Sequence, residues 1–263
     1  MFKAKFKNAK FIRGVFEAIS ALIDETRLII DPEKGLSMTS MDGAHICLVD
    51  LNLKKEDMDE FVTKDHYELG LKLEDLVKII KRGSSNDEIT FSHDPKEKKL
   101  VIEMKAENSK KARKFTLTLI DIDVEQIDVN QLDEIPFENK CQFKVGILEE
   151  AIKDAEIFSE VLMINVKETL KFAAEGITGD MEYCVEKEEL ISSEFTAESE
   201  GNFAIQFLKN ILKIASISDQ VSMSLKSESP VKMKFNILNN SYIQYFLAPR
   251  VEEEYDSMYE GDK

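Results

Sequence analysis

Eight basic side chains recur at helical spacing in four segments of the chain, a pattern that can bind phosphate groups. They are Lys10, Arg13, Lys78, Lys81, Arg82, Lys153, Lys209 and Lys213. Each segment also carries apolar residues at intervals of three and four, which predicts a helix with a buried stripe opposite its cations. A single basic helix face is usually solvated surface. Four such faces on one side of a molecule would hold a phosphate backbone, without base stacking because no aromatic residues are interleaved.

The signatures of common catalytic and metal sites are missing from the sequence. It has no glycine-rich nucleotide-binding motif and no nucleophile elbow. Its histidines, His45, His66 and His93, show no ligand spacing with one another or with cysteine. We therefore expect a protein that is not an enzyme, with no catalytic residues, no metal and no cofactor.

The composition is typical of a folded protein from a reducing compartment. The chain has 263 residues, of which 43 % are hydrophobic, so a packed core is expected. No apolar run is long enough to span a membrane, and the N-terminus lacks the apolar core of a signal peptide. Three cysteines form no CxxC pair and cannot all be paired, so we expect three buried free thiols. They are Cys47, Cys141 and Cys184.

The overall charge is opposite to that of a phosphate-binding surface. The net charge is −16, which taken alone argues against nucleic-acid binding. A net charge does not say where the cations lie, however. An acidic protein with its cations gathered on one face therefore stays compatible with the sequence.

The chain contains an internal repeat with a period of roughly 134 residues, the size of a duplicated domain. Each copy begins with a short alternating strand and an amphipathic helix. A strand, a turn and a second strand follow, with the first of these turns at Asp42-Gly43, and then a helix that runs into a strand. The matching segments are 12–22 with 147–157, 34–51 with 168–187, and 73–91 with 205–225.

Between the two copies lies an acidic stretch, residues 119–137, which contains no lysine or arginine. Because Asp and Asn are poor strand formers, we predict an extended linker that ends near Pro136. Ile127 and Val129 stand out in this polar setting. They either attach the linker to a domain surface or line a groove for another protein.

An apolar run formed by Tyr245, Phe246, Ala248 and Pro249 directly precedes an acidic tail at 252–263. Chain ends are usually polar, so other residues must cover these apolar groups or a partner must bind them. Neighbouring side chains of a strand point to opposite faces. At least one of Tyr245 and Phe246 must therefore face away from the inner side of its sheet.

Taken together, these segments resemble the sliding clamps of the proliferating-cell-nuclear-antigen family, and its archaeal branch in particular. The resemblance covers essentially the whole chain, in order. The motifs that carry it are LIDE at 22–25, GLSMTSMDGAHICLVDLNL at 35–53, LVKIIKRG at 76–83, LIDIDVEQI at 119–127, DEIPF at 133–137 and YFLAPRVEE at 245–253.

The resemblance implies an α+β fold of two similar domains, each with helices on one face of antiparallel sheets. The expected domains are residues 1–118 and 138–251, with a connector at 119–137 and a tail at 252–263. Three chains would join head to tail in a ring, the stretch at 113–119 pairing with 178–184 of the next copy. The resemblance implies these interface residues: Arg82, Arg113, Phe115, Glu150 and Asp154.

The resemblance also implies that duplex DNA passes through the ring, against the eight helix cations. Lysine and arginine there would hold the backbone without reading bases. Arg82 is either one of these cations or an interface residue. Gly14, Ser20 and Glu150 stand where eukaryotic members carry basic residues, which implies weaker direct affinity for DNA.

A hydrophobic pocket for partner peptides is the last feature that the resemblance implies. The expected partners are DNA polymerase, the clamp loader, ligase and flap nuclease, each inserting an aromatic and aliphatic plug on a helical turn. The pocket residues implied are Met41, His45, Leu48, Ile127, Val129, Pro230, Tyr245, Phe246, Ala248 and Pro249.

Two other functions remain open at the level of the sequence. A scaffold that binds proteins alone would need the pocket but not the basic helices, and a checkpoint-type clamp subunit would share the fold. The sequence also leaves open whether three identical chains or related subunits form the ring. The archaeal character of the motifs favours the cytoplasm, or the nucleus if the source is eukaryotic.

Overall fold

A computed structural model describes residues 1–106, 111–122, 127 and 129–250 of the chain. Across these residues, each half contributes nine strands and two helices in the same order. The first half contains β1 (Phe2–Phe6), α1 (Ala9–Ile19), β2 (Glu25–Asp31), β3 (Gly35–Met41), β4 (Cys47–Lys54), β5 (Glu60–Val62), β6 (Tyr67–Lys72), α2 (Leu73–Ile80), β7 (Glu88–His93), β8 (Lys99–Lys105) and β9 (Ala112–Thr118). The linker carries a short helix, α3 (Val129–Asp133). The second half contains β10 (Asn139–Lys144), α4 (Val145–Ala155), β11 (Val161–Val166), β12 (Leu170–Gly176), β13 (Gly179–Val185), β14 (Leu190–Phe195), β15 (Ser199–Ala204), α5 (Ile205–Ile211), β16 (Gln220–Leu225), β17 (Val231–Asn236) and β18 (Tyr242–Leu247).

The strands form three antiparallel sheets. The first half alone builds the five-stranded sheet β5-β1-β7-β8-β9, and the second half alone builds the four-stranded sheet β13-β12-β11-β15. The third sheet has nine strands, in the order β14-β10-β16-β17-β18-β4-β3-β2-β6, and takes five from the second half and four from the first. The pairing of β18 with β4 therefore joins the two halves. We call this pairing the closed joint.

The first helix shows why the amphipathic segments fold as predicted. Asn8 caps α1, its side chain accepting a hydrogen bond from the Phe11 amide at 3.2 Å. This cap starts the helix three residues before the predicted 12–22 segment. The predicted stripe is buried: Ile12, Val15, Phe16 and Ile19.

One hydrophobic core runs through both halves, between the helices and the inner faces of the sheets. Along the strands, buried and exposed residues alternate, as in β1, so each sheet has one inner and one outer face. The predicted α+β architecture, with helices on one face of antiparallel sheets, is confirmed. No helix in the described part of the chain is long and apolar enough to cross a membrane.

Two expectations about local structure are wrong. The linker is not extended throughout, because residues 129–133 form α3, and an ion pair of 2.6 Å between Asp133 and Lys232 holds this helix against the sheet. So short a helix depends on such tertiary contacts more than on propensity. Cys47 and Cys141 are buried, but Cys184 is exposed because it lies on the outer face of β13. Linker residues 123–126 and 128, and the predicted tail at 252–263, lie outside the described residues.

Candidate functional site

The four long helix segments lie side by side in a single layer. Helix α1 packs against α2 and, across the two halves, against α5 and the 3-10 turn Leu212–Ser216 that follows it. Helix α4 packs against α5 and the same turn. We call α1, α2, α4, α5 and this turn the helix layer. The prediction of four basic helices on one side thus has a structural basis.

Gly14 sits where the two halves of the helix layer approach each other. A Cβ atom at Gly14 would lie 2.5 Å from the Cγ2 atom of Ile217, which is too close for any side chain. Gly14 is buried, so this position packs helices together and does not face solvent. In this chain, a larger side chain at position 14 would have to displace Ile217 of the other half, so Gly14 contributes close helix packing.

Three of the eight predicted cations are already paired with carboxylates. Lys78 contacts Glu74 at 2.5 Å on α2, and this hydrogen bond raises the pKa of Lys78 and lowers that of Glu74. Lys81 lies 3.4 Å from a carboxylate oxygen of α1. Lys209 lies 2.5 Å from Glu156 at the end of α4.

The other five cations form no ion pair with any described residue. Four are exposed and one is half-buried. Unpaired cations attract phosphate more strongly than cations already neutralised by a neighbour. The positions on the helix layer best suited to a phosphate backbone are therefore Lys10, Arg13, Arg82, Lys153 and Lys213.

The pairing in the closed joint places the two aromatic residues near the end of β18 on opposite faces of the sheet. Tyr245 pairs with Val49 and is fully buried in the core, with its ring 5.8 Å from that of Phe235. Burial raises its pKa strongly. Tyr245 therefore does not line an outer pocket, and that assignment is wrong. Phe246 pairs with Leu48, and both side chains lie on the outer face.

An apolar row crosses the outer face of the closed joint. Met41 pairs with Leu48 and Leu48 pairs with Phe246, so the three side chains lie on neighbouring strands. Phe246 is 2 % exposed although it lies outside the main core. Lys232 covers it, with its Nζ atom 5.3 Å from the ring centroid and an ion pair to Asp133 of α3. We call this row and the residues around it the outer groove.

The turn after β3 forms one side of the outer groove, and a buried carboxylate shapes it. Asp42 accepts backbone hydrogen bonds from Ala44, Ile46 and Cys47 at 2.6–2.8 Å. This network holds His45 in a left-handed conformation, at φ 59°. Asp42 was not among the predicted site residues, although an aspartate before glycine is a known turn signal.

The chain end is tied to the same turn, which brings more of the predicted pocket together. The Ala248 amide donates to the Ile46 carbonyl at 2.9 Å. Ala248, Pro249 and Pro230 are half-buried, and so are the linker residues Ile127 and Val129.

A polar row that the sequence did not reveal lies beside the apolar one. Asp50 on β4 accepts from the Thr39 hydroxyl at 2.8 Å and from the Gln244 side-chain amide at 3.1 Å. Burial raises the pKa of this carboxyl group. Residue types alone could not identify this row, because Asp50 and Gln244 meet only when β4 and β18 pair.

Two strand edges that carry predicted interface residues stay unpaired in the described chain: β9 and β13. We call them the open edges. On β9, Phe115 and Leu117 are half-buried against the core, as are Met181 and Tyr183 on β13. An apolar strip on an unpaired edge is the feature expected of a strand that pairs with another chain.

The two open edges carry opposite charges. On β9, Arg113 binds Asp87 at 2.7 Å and donates to the Arg82 carbonyl at 2.7 Å, which places Arg82 beside this edge. On the other edge, burial raises the pKa of Tyr183, and the carboxylates of Glu189, Glu150 and Asp154 raise it further. The predicted interface cations thus lie beside β9, and the predicted interface anions lie beside β13.

Family comparisons match both halves of the chain. Residues 1–127 match the model of the N-terminal domain of proliferating cell nuclear antigen, and residues 132–250 match that of its C-terminal domain. These two ranges include the helix layer, the apolar row of Met41, Leu48 and Phe246, and both open edges.

Several archaeal proteins named "DNA polymerase sliding clamp" are similar over nearly the full length. The protein of Thermococcus gammatolerans is 33 % identical over 257 residues, covering 96 % of this chain and 99 % of its own. The protein of Pyrococcus horikoshii is 31 % identical, with the same coverage. The protein of Methanothermobacter thermautotrophicus is 30 % identical over 97 % of this chain and 100 % of its own. The chain therefore belongs to the proliferating cell nuclear antigen family of sliding clamps.

Proposed function

We propose that three copies of this chain form a ring that encircles duplex DNA and tethers DNA polymerase and other enzymes to it. The observation that carries this proposal is the relation between the closed joint and the open edges. In the closed joint, the ninth strand of the second half pairs with the fourth strand of the first half. The ninth strand of the first half is β9 and the fourth strand of the second half is β13. The open edges are thus the counterparts of the two strands in the closed joint, and a second copy could pair with each of them.

Repeating this joint between copies gives a head-to-tail assembly, because each copy offers one edge of each kind. The number three comes from the family and not from the geometry of one chain. A closed ring leaves neither edge exposed, which removes the aggregation hazard of an unpaired strand.

The helix layer would face the DNA. Its five unpaired cations can contact phosphates, whereas the net charge of −16 makes the rest of the surface repel DNA. Contacts to the backbone alone carry no sequence information, so the ring could slide. Because three of the eight cations are already paired, retention would depend on encirclement more than on affinity.

The outer groove would receive partner peptides. Its apolar row lies beside the polar pair of Asp50 and Gln244, which suits a helical turn that inserts aromatic and aliphatic side chains. DNA polymerase, the clamp loader, ligase and flap nuclease are the partners that we propose for it. The archaeal relatives favour a cytoplasmic location.

The test of this function combines mass and topology. Light scattering should give about three times 30.1 kDa for the purified protein. After loading by the clamp loader of an archaeal relative, the protein should stay on a nicked plasmid and run off the same plasmid once it is cut. Equal retention on circular and linear DNA would contradict encirclement, and a scaffold that binds proteins alone would show no retention on either.

A triple variant examines the role of the cations. Replacing Lys10, Lys153 and Lys213 by alanine should weaken the salt-dependent contact with DNA. Since a ring of three copies loses nine lysines, its salt slope should fall by up to about eight. The matched control replaces three exposed loop lysines, Lys34, Lys64 and Lys96, and should leave the slope unchanged. An unchanged slope in the triple variant would show that the helix layer does not face DNA.

A further inference from the structure

We infer that Lys114 and Glu182 form a charge pair across the joint between neighbouring copies, and that this pair fixes the register of the joint and selects a second copy of this chain as partner. The inference rests on the proposed ring. The internal duplication carries it, because the closed joint is a template for the joint between copies.

The two ninth strands can be aligned from an equivalent hydrogen bond. The first amide of α1 donates to the Asp87 carbonyl at 3.0 Å, and the first amide of α4 donates to the Asp219 carbonyl at 2.9 Å. Phe91, four residues after Asp87, pairs with Ile102, which pairs with Phe115. Met223, four residues after Asp219, pairs with Met233, which pairs with Tyr245. Phe115 is therefore equivalent to Tyr245.

The two fourth strands align in the same way. The first amide of α2 donates to the Asp24 carbonyl at 2.8 Å, and the first amide of α5 donates to the Glu160 carbonyl at 2.9 Å. Ile29, five residues after Asp24, pairs with Ser37, which pairs with Asn52, three residues beyond Val49. Asn165, five residues after Glu160, pairs with Lys171, which pairs with Cys184, three residues beyond Met181. Val49 is therefore equivalent to Met181. None of these pairings contains a bulge, so the equivalence is one residue to one residue.

Transferring the register of the closed joint then defines the joint between copies. Tyr245 faces Val49 within the chain, so Phe115 faces Met181 of the next copy. One position along each strand, Lys114 faces Glu182. Both are exposed and lie on the outer face, whereas Phe115 and Met181 are half-buried on the inner face.

The closed joint has the same arrangement of hydrogen-bond donor and acceptor at the equivalent position. There, Gln244 of the ninth strand donates to Asp50 of the fourth strand at 3.1 Å. Lys114 also supplies a donor on the ninth strand, and Glu182 an acceptor on the fourth. A neutral donor inside the chain is thus replaced by a cation where two copies meet.

The neighbouring strands extend this pair into a row of alternating charge. Glu103 on β8 pairs directly with Lys114. Glu182 contacts Lys171 of β12 at 3.1 Å. The row across the joint would therefore run Glu103, Lys114, Glu182, Lys171, and opposite charges on facing strands are stabilising.

Charge and apolar contacts together exclude both neighbouring registers. A slip must be of two residues, since a slip of one would turn the apolar side outward. A slip in one direction places Lys114 opposite Cys184 and loses the charge pair. A slip in the other direction keeps a carboxylate, Asp180, opposite Lys114 but places Phe115 opposite Gly179, without apolar contact.

The same charges oppose wrong partners. Two β9 edges would bring the cations of Arg113 and Lys114 together, and two β13 edges would bring Asp180 and Glu182 together. Like charges on facing strands are unfavourable. The pair therefore favours head-to-tail joining of unlike edges.

A disulfide cross-link between neighbouring copies tests the register of their joint directly. The transferred register places position 112 opposite the exposed, unpaired Cys184 of the next copy. Under mild oxidation by copper phenanthroline, the Ala112→Cys variant should give covalent dimers and trimers on a denaturing gel. These should vanish when Cys184→Ser is added. Thr116→Cys, on the same face of β9 but opposite Asp180, should not cross-link, and equal cross-linking of the two variants would overturn the register.

Charge reversal tests the pair itself. Lys114→Glu and Glu182→Lys should each raise the dissociation constant of the ring about tenfold in low salt, and the double variant should return it to within about threefold of the original. Lys64→Glu and Glu56→Lys make the same charge changes at exposed positions away from both edges and should have no effect. Circular dichroism checks that each variant is folded.

The outcomes separate this inference from the proposed function. If the single variants assemble normally, or the double variant is as weak as each single one, the charge pair is wrong although the ring still forms and stays on circular DNA. If the original protein stays monomeric at all concentrations, both proposals fail. If mixing the two single variants yields no more association than either alone, the selection of partners by this pair is also refuted.

Discussion

The closed joint and the open edges are the same structural element. Their side chains differ because the closed joint pairs two strands of one chain, whereas the open edges would pair strands of two copies. In the closed joint, Tyr245 is fully buried and Gln244 faces Asp50. At the equivalent positions of the open edges stand half-buried Phe115 and the charged residues Lys114 and Glu182. The two strands of the closed joint belong to one chain, so their high effective concentration makes selectivity unnecessary. An edge that must stay soluble and then select a partner needs charge.

The outer faces of the two joints differ as well. Phe246 and Leu48 form the apolar row of the outer groove on the closed joint. The equivalent residues of the open edges are Thr116 and Asp180, which are polar and cannot form such a row. Each chain therefore has an apolar row on the outer face of its closed joint, whereas the equivalent positions of its open edges are polar.

The largest expected effect comes from a substitution that disrupts the packing at the closed joint. Tyr245→Ala removes a fully buried ring from the core and should lower the free energy of unfolding by about 3–5 kcal/mol, as measured by urea denaturation. Tyr245→Phe is the matched control. The hydroxyl is buried and has no hydrogen-bond partner among the described residues, so this variant should be as stable as the original or more stable. An equal loss in both variants would contradict the placement of the ring in the core.

The equivalent change at an open edge should separate folding from assembly. Phe115 is half-buried in one copy, so Phe115→Ala should affect the unfolding of a single chain little. It should raise the dissociation constant of the ring about thirtyfold, because an aromatic anchor at the centre of an interface is lost. Sedimentation equilibrium measures this change. Thr118→Ala, on the same strand, should assemble normally, and a Phe115→Ala variant that still forms trimers at low concentration would refute the edge assignment.

A smaller effect concerns the groove above the closed joint. Ile127→Ala combined with Val129→Ala should weaken binding of a synthetic peptide with an aromatic pair on a helical turn about tenfold, measured by calorimetry. Ile191→Ala removes an exposed apolar side chain from β14 and serves as control. At concentrations where the Phe115→Ala variant has dissociated, it should still bind the peptide normally, since the groove belongs to the closed joint. Unchanged affinity in the double variant would remove the linker from the groove.

The smallest effect concerns the polar row. Burial raises the pKa of Asp50 above its ordinary value of 3.8, so the folded protein holds this proton more tightly than the unfolded chain does. The contribution of Asp50 to stability is therefore largest below pH 3.8 and falls as pH rises through the higher pKa of the folded state. Asp50→Asn should remove this decline, because the amide does not titrate in this range. Thermal melts from pH 3.5 to 7 measure this difference, and parallel pH profiles of the two proteins would contradict it.

Much of the architecture could be predicted because local patterns determine it. The apolar stripe of α1, the alternation of β1 and the turn at Asp42 each follow from spacing within a few residues. The duplication was visible for the same reason, since both copies keep these local patterns. Motifs spread along the chain then identified the family.

The features that the sequence did not predict correctly depend on contacts between distant segments of the chain. Alternation requires Tyr245 and Phe246 to point in opposite directions, but which of them is buried depends on the pairing of β18 with β4, two strands nearly 200 residues apart along the chain. The packing role of Gly14 was not visible in the sequence because its contact, Ile217, belongs to the other half. Helix α3 depends on the ion pair of Asp133 with Lys232, which no local propensity predicts.

By itself, the sequence determined two similar α+β domains, a set of helix cations and an apolar chain end, because secondary structure follows from the spacing of apolar residues. The tertiary structure decided which lysines are already paired, which aromatic ring reaches the outer face, and which two edges remain open. Those features depend on long-range strand register and on contacts between the halves. The spacing of apolar residues that reveals strands and helices carries no information about either.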